Sequence, residues 1–168
     1  MAHLNQKWDR MLRLMFEHPG KAFAVREISR KTGIPASSAQ RYLKKLRQAG
    51  LVTKGNMPET SAYFKFRKAF FIISRLFETG LINYLEEKLS PSAIIVFGSA
   101  RKGEYSMDSD IDLFVETTKP ADINLKQFEK KLSHKIQLFV EKNINGLPDE
   151  LFNSVVNGIK LSGYLKLK

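Results

Sequence analysis

The feature that most constrains the fold of this chain is a short apolar run that ends at a glycine–serine pair, with two closely spaced aspartates further along. The run at 92–97, Ser-Ala-Ile-Ile-Val-Phe, predicts a short buried strand. Gly98-Ser99 follows, and ten further residues separate it from Asp110 and Asp112. Because side chains alternate along a strand, we expect both carboxylates on one face of a second strand, roughly 6.5–7 Å apart. Two like charges at that distance favour a compensating hard cation such as Mg²⁺.

The glycine–serine pair has the properties of a phosphate-binding turn. Glycine permits a tight turn and a close approach of the backbone, and backbone N–H groups at the start of a short helix attract anions. The hydroxyl of Ser99 can hydrogen-bond a phosphate oxygen, and Arg101 and Lys102 can neutralise phosphate charge. The sequence therefore predicts a phosphate site to accompany the cation site.

These residues resemble the polymerase-beta-like nucleotidyltransferase superfamily, and in particular its minimal branch. The resemblance covers about residues 90–165 and rests on 97–99, 103–104, 108–113 and 157–163. It implies a nucleoside triphosphate whose β- and γ-phosphates are held by the glycine–serine turn. It also implies one or two Mg²⁺ ions that align an acceptor hydroxyl with the α-phosphorus and stabilise the departing pyrophosphate. The phosphate-binding residues expected on this basis are Gly98, Ser99, Arg101, Lys102 and Ser109, and the expected catalytic and metal-binding residues are Asp110 and Asp112.

The superfamily usually has a third carboxylate on a later strand, and this position differs here. In the candidate strand at 135–141, Gln137 and Glu141 share one face. Gln137 most resembles the third position, but an amide cannot act as a base and is a weaker metal ligand. Glu141 lies four residues, or about 13 Å, further along. Three outcomes stay open: a one-metal enzyme, a metal site completed by Glu141, or a nucleotide-binding protein that no longer catalyses.

The positive charge is concentrated in the first part of the chain. Of the net charge of +11, residues 1–67 carry +10, from 14 Lys and Arg against 4 Asp and Glu. This asymmetry favours a polyanion-binding module joined to a second domain. The alternative is that the charge serves solubility alone.

The first half of the chain shows helical periodicity and then a hairpin pattern. A stripe of Leu4, Trp8, Met11, Leu12 and Met15 predicts a first helix. Further helices are predicted from about 24 to 31 and from about 36 to 49, and the segments 51–54 and 61–66 predict a hairpin. This order resembles a winged helix-turn-helix domain over about residues 4–66. In that family the third helix enters the major groove of DNA.

The outward face of the third predicted helix carries cationic and hydrogen-bonding side chains. Arg41 and Gln40 suit base edges, whereas Ser37, Lys44 and Lys45 suit phosphates. These five residues are the predicted DNA-binding set. Docking of a protein partner is the alternative use of such a domain.

A connecting helical segment is predicted at 67–89, with an interruption at Thr79-Gly80. Its first part is apolar on more than one face, which predicts burial on several sides. A core helix and a homodimer contact are the two interpretations.

We therefore predict an α+β (α/β) protein with a winged helix-turn-helix domain at 1–66, the connecting segment at 67–89, and a nucleotidyltransferase domain with a mixed sheet at 90–168. The predicted function is metal-dependent transfer of a nucleoside monophosphate from a nucleoside triphosphate, with ATP as the first candidate. The acceptor hydroxyl belongs to a protein, a small molecule or an RNA. The alternative is a DNA-binding regulator that senses a nucleotide without transferring it.

Other features narrow the class of protein. The chain has no cysteine, which excludes disulfides and thiolate metal sites. It has no apolar run near the roughly 20 residues of a membrane span, and its start lacks the apolar region of a signal peptide. We therefore expect no membrane partner and a cytoplasmic location. His3, His18 and His134 are scattered and are interpreted as surface or structural residues.

Overall fold

A computed structural model describes residues 6–119 and 122–167, and the predicted contributions of Leu4 and His3 lie outside these ranges. The chain divides into two compact units, one ending at Phe66 and one beginning at Arg67. In the part of the chain that the structure describes, no helix is long and apolar enough to cross a membrane.

Three helices form the body of the first unit: α1 (Gln6–Glu17), α2 (Val25–Thr32) and α3 (Ala36–Gln48). The bounds of α2 and α3 differ from the predicted ones by at most one residue. α2 ends before Gly33, which adopts a left-handed conformation (φ 66°) and whose N–H donates to Ser29 O. The apolar stripes meet in a core that includes Met11, Met15, Ile28, Leu43 and Leu46.

The wing, which is the hairpin predicted from the segments 51–54 and 61–66, is shorter than predicted, and the prediction of a strand at 61–66 is wrong. Val52 pairs antiparallel with Pro58 in an isolated bridge, and Glu59 N donates to Leu51 O at 3.1 Å. The chain then enters a helix, because the hydroxyl of Ser61 accepts a hydrogen bond from Phe64 N at 3.1 Å. This is an N-terminal helix cap, and it replaces the second strand of the hairpin.

Two helices follow the wing: α4 (Ala62–Glu78) and α5 (Leu81–Leu89). The predicted interruption between them is present, with Gly80 in a left-handed conformation (φ 80°). α4 is less buried than its composition predicts. Ile72 and Leu76 are buried, whereas Phe70 and Phe77 are 59% and 45% exposed.

Among its described residues, the second unit contains a mixed four-stranded sheet in the order β3-β2-β1-β4. β1 pairs antiparallel with β2 and β4, and β2 pairs parallel with β3. The elements are β1 (Ala93–Phe97), α6 (Gly98–Lys102), β2 (Ile111–Glu116), α7 (Lys126–Leu132), β3 (Ile136–Glu141), a 3₁₀ turn (Ile144–Gly146), α8 (Asp149–Val156) and β4 (Ile159–Gly163). The fold is α+β, as the sequence predicts.

Both faces of the central strands are covered by apolar side chains. One face belongs to a cluster formed by Ile95, Phe97, Phe114, Ile144 and Val155. The residues that alternate with these, among them Ile94, Val96, Leu113 and Val115, are also buried. The central pair β1–β2 is therefore a rigid base for the residues at the ends of its strands, which include Gly98 and Asp112.

Candidate active site and candidate nucleic-acid interface

The glycine–serine turn and Asp112 lie side by side because of the register of the two central strands. The last residue of β1, Phe97, pairs with Asp112 of β2, so that Gly98 begins its turn next to Asp112. Gly98 has φ +65°, and a Cβ atom on it would overlap Oδ2 of Asp112. The carboxylate therefore occupies the space that any other side chain at position 98 would need.

Asp112 and Asp110 differ in their surroundings. Asp110 precedes β2 and is exposed, whereas Asp112 is half-buried within the strand. Burial raises the pKa of the Asp112 carboxyl above its ordinary value, and the negative charge of Asp110 raises it further. The pair is thus an electrostatically unfavourable arrangement, which a bound cation would relieve.

Gln137 is the neighbour of Asp112 on β3. The parallel register pairs Asp112 with Gln137, and it pairs Glu116 with Glu141 at the other end of the strands. Glu141 is thus four residue pairs, or about 13 Å, from the aspartates. The structure does not bring Glu141 to them. Within the described ranges, no group of three His, Cys, Asp or Glu side chains is arranged to hold a metal ion.

The structure places the predicted phosphate-binding residues in two different settings. Ser99, Arg101 and Lys102 belong to α6, directly after Gly98, and the two cations are exposed. The hydroxyl of Ser109 accepts a hydrogen bond from Ser106 N at 2.8 Å. Ser109 therefore shapes the loop that leads to Asp110.

The sequence analysis did not identify two residues, Glu129 and His134, that line a cavity together with Asp110. A cavity of about 600 Å³ borders Asp108 and Asp110, and its wall includes Glu129 and His134. The carboxylate of Glu129 accepts a hydrogen bond from Ile136 N at 3.0 Å. No sequence motif marks either residue, since both reach the site through the packing of α7 and β3.

A second candidate site lies entirely within the first unit, between α3 and the wing. It is a cleft of about 920 Å³ lined by Ser37, Gln40, Arg41, Lys44, Arg47, Gln48, Val52, Thr53, Lys54 and Glu59. Four of the five predicted DNA-binding residues line it, whereas Lys45 is exposed outside it. Arg47 and Lys54 are cations that the sequence analysis missed. Lys54 could have been found from its place in the wing loop.

Two family models match this chain. A model described as the nucleotidyltransferase domain matches residues 79–161. A model described as the IclR helix-turn-helix domain matches residues 10–55. None of the curated proteins and none of the solved structures gives a significant match.

Proposed function

Because the chain joins an IclR-type helix-turn-helix domain to a nucleotidyltransferase domain, we propose that it is a nucleotidyltransferase that also binds DNA. In this proposal it transfers a nucleoside monophosphate from a nucleoside triphosphate, with ATP as the first candidate, to a hydroxyl acceptor. The observation that carries the proposal is the contact of the Gly98 turn with Asp112. This contact places a turn suited to phosphate beside a carboxylate that a bound cation would stabilise.

The donor chemistry of the site fits Mg²⁺. Hard cations prefer carboxylate oxygens, and the raised pKa of Asp112 reflects burial and a like charge that a cation would offset. Asp110 and Asp112 would hold the ion. When bound, Mg²⁺ supplies charge neutralisation for the triphosphate and for the departing pyrophosphate.

The chain's own residues orient the triphosphate. The backbone of Gly98 permits close approach of a phosphate, and the hydroxyl of Ser99 is a donor to its oxygens. Arg101 and Lys102 extend from the same short helix and add positive charge beside the phosphates. Their contribution is positioning and charge neutralisation, which are the main sources of rate in phosphoryl transfer.

The site lacks a third carboxylate beside Asp112, because Gln137 is its neighbour on β3. Gln137 can donate and accept hydrogen bonds, but it cannot take a proton from an acceptor hydroxyl. We therefore propose a single Mg²⁺ held by Asp110 and Asp112, and an acceptor whose hydroxyl is activated by a group outside this pair. The acceptor itself is a protein, a small molecule or an RNA end.

The position of a radioactive label in the nucleotide distinguishes transfer of the nucleoside monophosphate from transfer of the γ-phosphate. The protein is incubated with Mg²⁺, each of the four nucleoside triphosphates labelled at the α-phosphorus, and candidate acceptors that include the protein itself. Label is expected on an acceptor from α-labelled and not from γ-labelled nucleotide. Asp110→Asn and Asp112→Asn are expected to abolish it, and Asp149→Asn, an exposed acid in the first turn of α8, is the control. Equal labelling by wild type and both site variants would contradict the proposal.

A second candidate function is a DNA-binding regulator that senses Mg²⁺ and a nucleoside triphosphate without turnover. The pairing of Gln137 with Asp112 favours it, because the third carboxylate of the superfamily pattern is an amide here. In this case calorimetry shows nucleotide binding, no acceptor is labelled, and the nucleotide changes the affinity for DNA. Gln137→Asp is then expected to strengthen Mn²⁺ binding, on the order of tenfold for one added ligand charge, whereas Glu141→Gln changes it little.

The first unit supports DNA binding through the α3–wing cleft. Arg41, Lys44, Arg47 and Lys54 line it together with Gln40 and Ser37, and Glu59 is the acid among the lining residues. Cationic and amide side chains on one helix are suited to phosphates and base edges. Selection of bound sequences from a random DNA pool tests this role, and Arg41→Ala and Lys44→Ala are both expected to weaken binding. A homodimer contact stays a prediction.

A further inference from the structure

Asp110 is the more exposed of the two aspartates, and its carboxylate depends on the loop that precedes β2. This loop, 106–110, is held by hydrogen bonds between two of its own residues, Ser106 and Ser109. Ser106 N donates to the hydroxyl of Ser109 at 2.8 Å, and Ser109 N donates to Ser106 O at 3.1 Å. These bonds give the loop its local shape, but they do not attach it to the rest of the unit.

The attachment comes from two adjacent residues, His134 and Lys135, just before β3. Nδ1 of His134 lies 2.8 Å from Ser109 O. Because a carbonyl oxygen only accepts hydrogen bonds, Nδ1 carries the hydrogen and donates it. Ile111 N donates to Lys135 O at 2.9 Å. The peptide groups on both sides of Asp110 are thus tied to consecutive residues.

The ring of His134 is itself held in place. It is 5% exposed, and it packs edge-on against Tyr105, with ring centroids 5.6 Å apart and an angle of 89° between the rings. Tyr105 is buried, and its hydroxyl donates to Lys68 O at 3.3 Å. The ammonium group of Lys68 lies 4.6 Å from the centroid of the Tyr105 ring. Burial and the contact with Tyr105 therefore restrict the orientations that the imidazole can adopt beside Ser109.

We propose that His134 is a positioning residue that fixes the backbone at Asp110, so that the Asp110 carboxylate is already directed at the cation and the triphosphate when they bind. The proposal rests on the proposed function. His134 acts through Ser109 and touches neither the metal nor the nucleotide. A loop tied at both ends loses less conformational entropy on binding, so that affinity is gained without a new contact.

Substitutions at His134 separate its hydrogen bond from its packing. His134→Leu removes the donor, whereas His134→Asn keeps an N–H donor at nearly the same distance from the backbone. His134→Phe is a further variant, which keeps a ring against Tyr105 and lacks the donor. His18 provides the matched control, since its Nδ1 lies 3.1 Å from Leu14 O and its ring packs edge-on against Phe23. His18→Leu changes the same chemistry in the first unit.

Two measurements on the full chain test the proposal. Hydrogen exchange of the amides at 106–111 reports the loop without any ligand, and calorimetry reports the affinity for Mn²⁺ with α,β-methylene-ATP. His134→Leu and His134→Phe are expected to accelerate exchange in this loop and to weaken binding about five- to tenfold, the equivalent of one hydrogen bond. His134→Asn is expected to restore both, and His18→Leu to change neither.

Unchanged loop exchange and unchanged affinity in the variants without the donor overturn the proposal. Equal losses in His134→Asn and His134→Leu also overturn it, because packing would then account for the effect. One further outcome would refute the proposed function without refuting the role of His134. If wild type does not bind the nucleotide while exchange still rises only in the variants without the donor, the nucleotide site is refuted and the loop-fixing role of His134 is supported.

Discussion

At Asp112, burial and a neighbouring charge oppose the ionised form of a carboxyl that the site needs. Both causes raise the pKa of Asp112. The folded chain therefore retains a proton that the unfolded chain loses first as the pH rises, so stability falls across that range. The cost grows as the pH rises through the raised pKa of the folded state, and it is absent below the unfolded carboxyl pKa of about 3.9.

The first prediction follows from the loss of stability that the raised pKa of Asp112 causes as the pH rises. Asp112→Asn is expected to stabilise the metal-free protein at pH 7, by less than about 1 kcal/mol because the side chain is only partly buried. The gain disappears near pH 3, and excess Mg²⁺ with a nucleoside triphosphate reverses the order of the two proteins. Thermal unfolding at several pH values measures this. Asp108→Asn, which removes an exposed acid two residues before Asp110, is the control, and a lower Tm for Asp112→Asn without metal would refute the account.

Gly98 provides a second prediction at the scale of one residue. Gly98→Ala places a Cβ in a left-handed conformation and also against the carboxylate of Asp112. Gly80→Ala is the matched control, because Gly80 has φ +80° and a Cβ added there would meet no neighbouring side chain within 4 Å. The backbone strain costs about 1–2 kcal/mol in both variants. Only Gly98→Ala is expected to cost more than this in unfolding experiments and to abolish nucleotide binding, and equal effects of the two substitutions would contradict the role of the contact.

Among the elements, β1 and β3 lie within one residue of their predicted bounds, whereas Asp110, which the sequence pattern places on the second strand, precedes β2. Alternation of apolar and polar residues predicts that Asp112 and Gln137 point to the same face, and the register places them side by side. Such alternation is local, because successive side chains of a strand point to opposite faces. The ties from His134 and Lys135 to the Asp110 loop join residues 24 or more positions apart, and no local pattern encodes them.

The segment 61–66 shows why a short apolar run is ambiguous. Ala62, Phe64 and Phe66 alternate as in a strand, but the same spacing occurs within the first turns of a helix. Buried Phe64 packs edge-on against Phe16 of α1, with ring centroids 5.2 Å apart. The wing pairing ends at Glu59, whose N–H donates to Leu51 O at 3.1 Å. Ser61 then caps the helix.

The third prediction concerns this cap at the start of α4. Ser61→Ala removes the oxygen that accepts from Phe64 N and is expected to destabilise the protein by about 1 kcal/mol. Thr60→Ala, one residue earlier and also exposed, is expected to have less than half of this effect. Urea unfolding of the full chain measures both. An equal loss in the two variants would indicate that the hydroxyl of Ser61 contributes no cap.

At the scale of the whole molecule, the charge divides as the two units do. Residues 1–66 carry +9 of the net +11, from 13 Lys and Arg against 4 Asp and Glu, and the cleft between α3 and the wing collects Arg41, Lys44, Arg47 and Lys54. The second unit is nearly neutral because its lysines are balanced by acids. This division is visible in the sequence, since charge can be counted without a fold. The sequence places Lys54 in the wing, but its position in the cleft beside α3 depends on the fold.

The final prediction distinguishes attraction of DNA by the α3–wing cleft from attraction by the net charge of the protein. Each phosphate that a cation neutralises releases counterions, so that the logarithm of DNA affinity falls with the logarithm of salt by about 0.9 per contact. Lys44→Ala is expected to weaken binding and to reduce this slope by about 1. Lys126→Ala removes the same charge from an exposed position on α7 and is expected to leave the slope unchanged. A salt titration with one DNA duplex measures both, and equal slopes for the two variants would mean that overall charge, and not the α3–wing cleft, attracts the DNA.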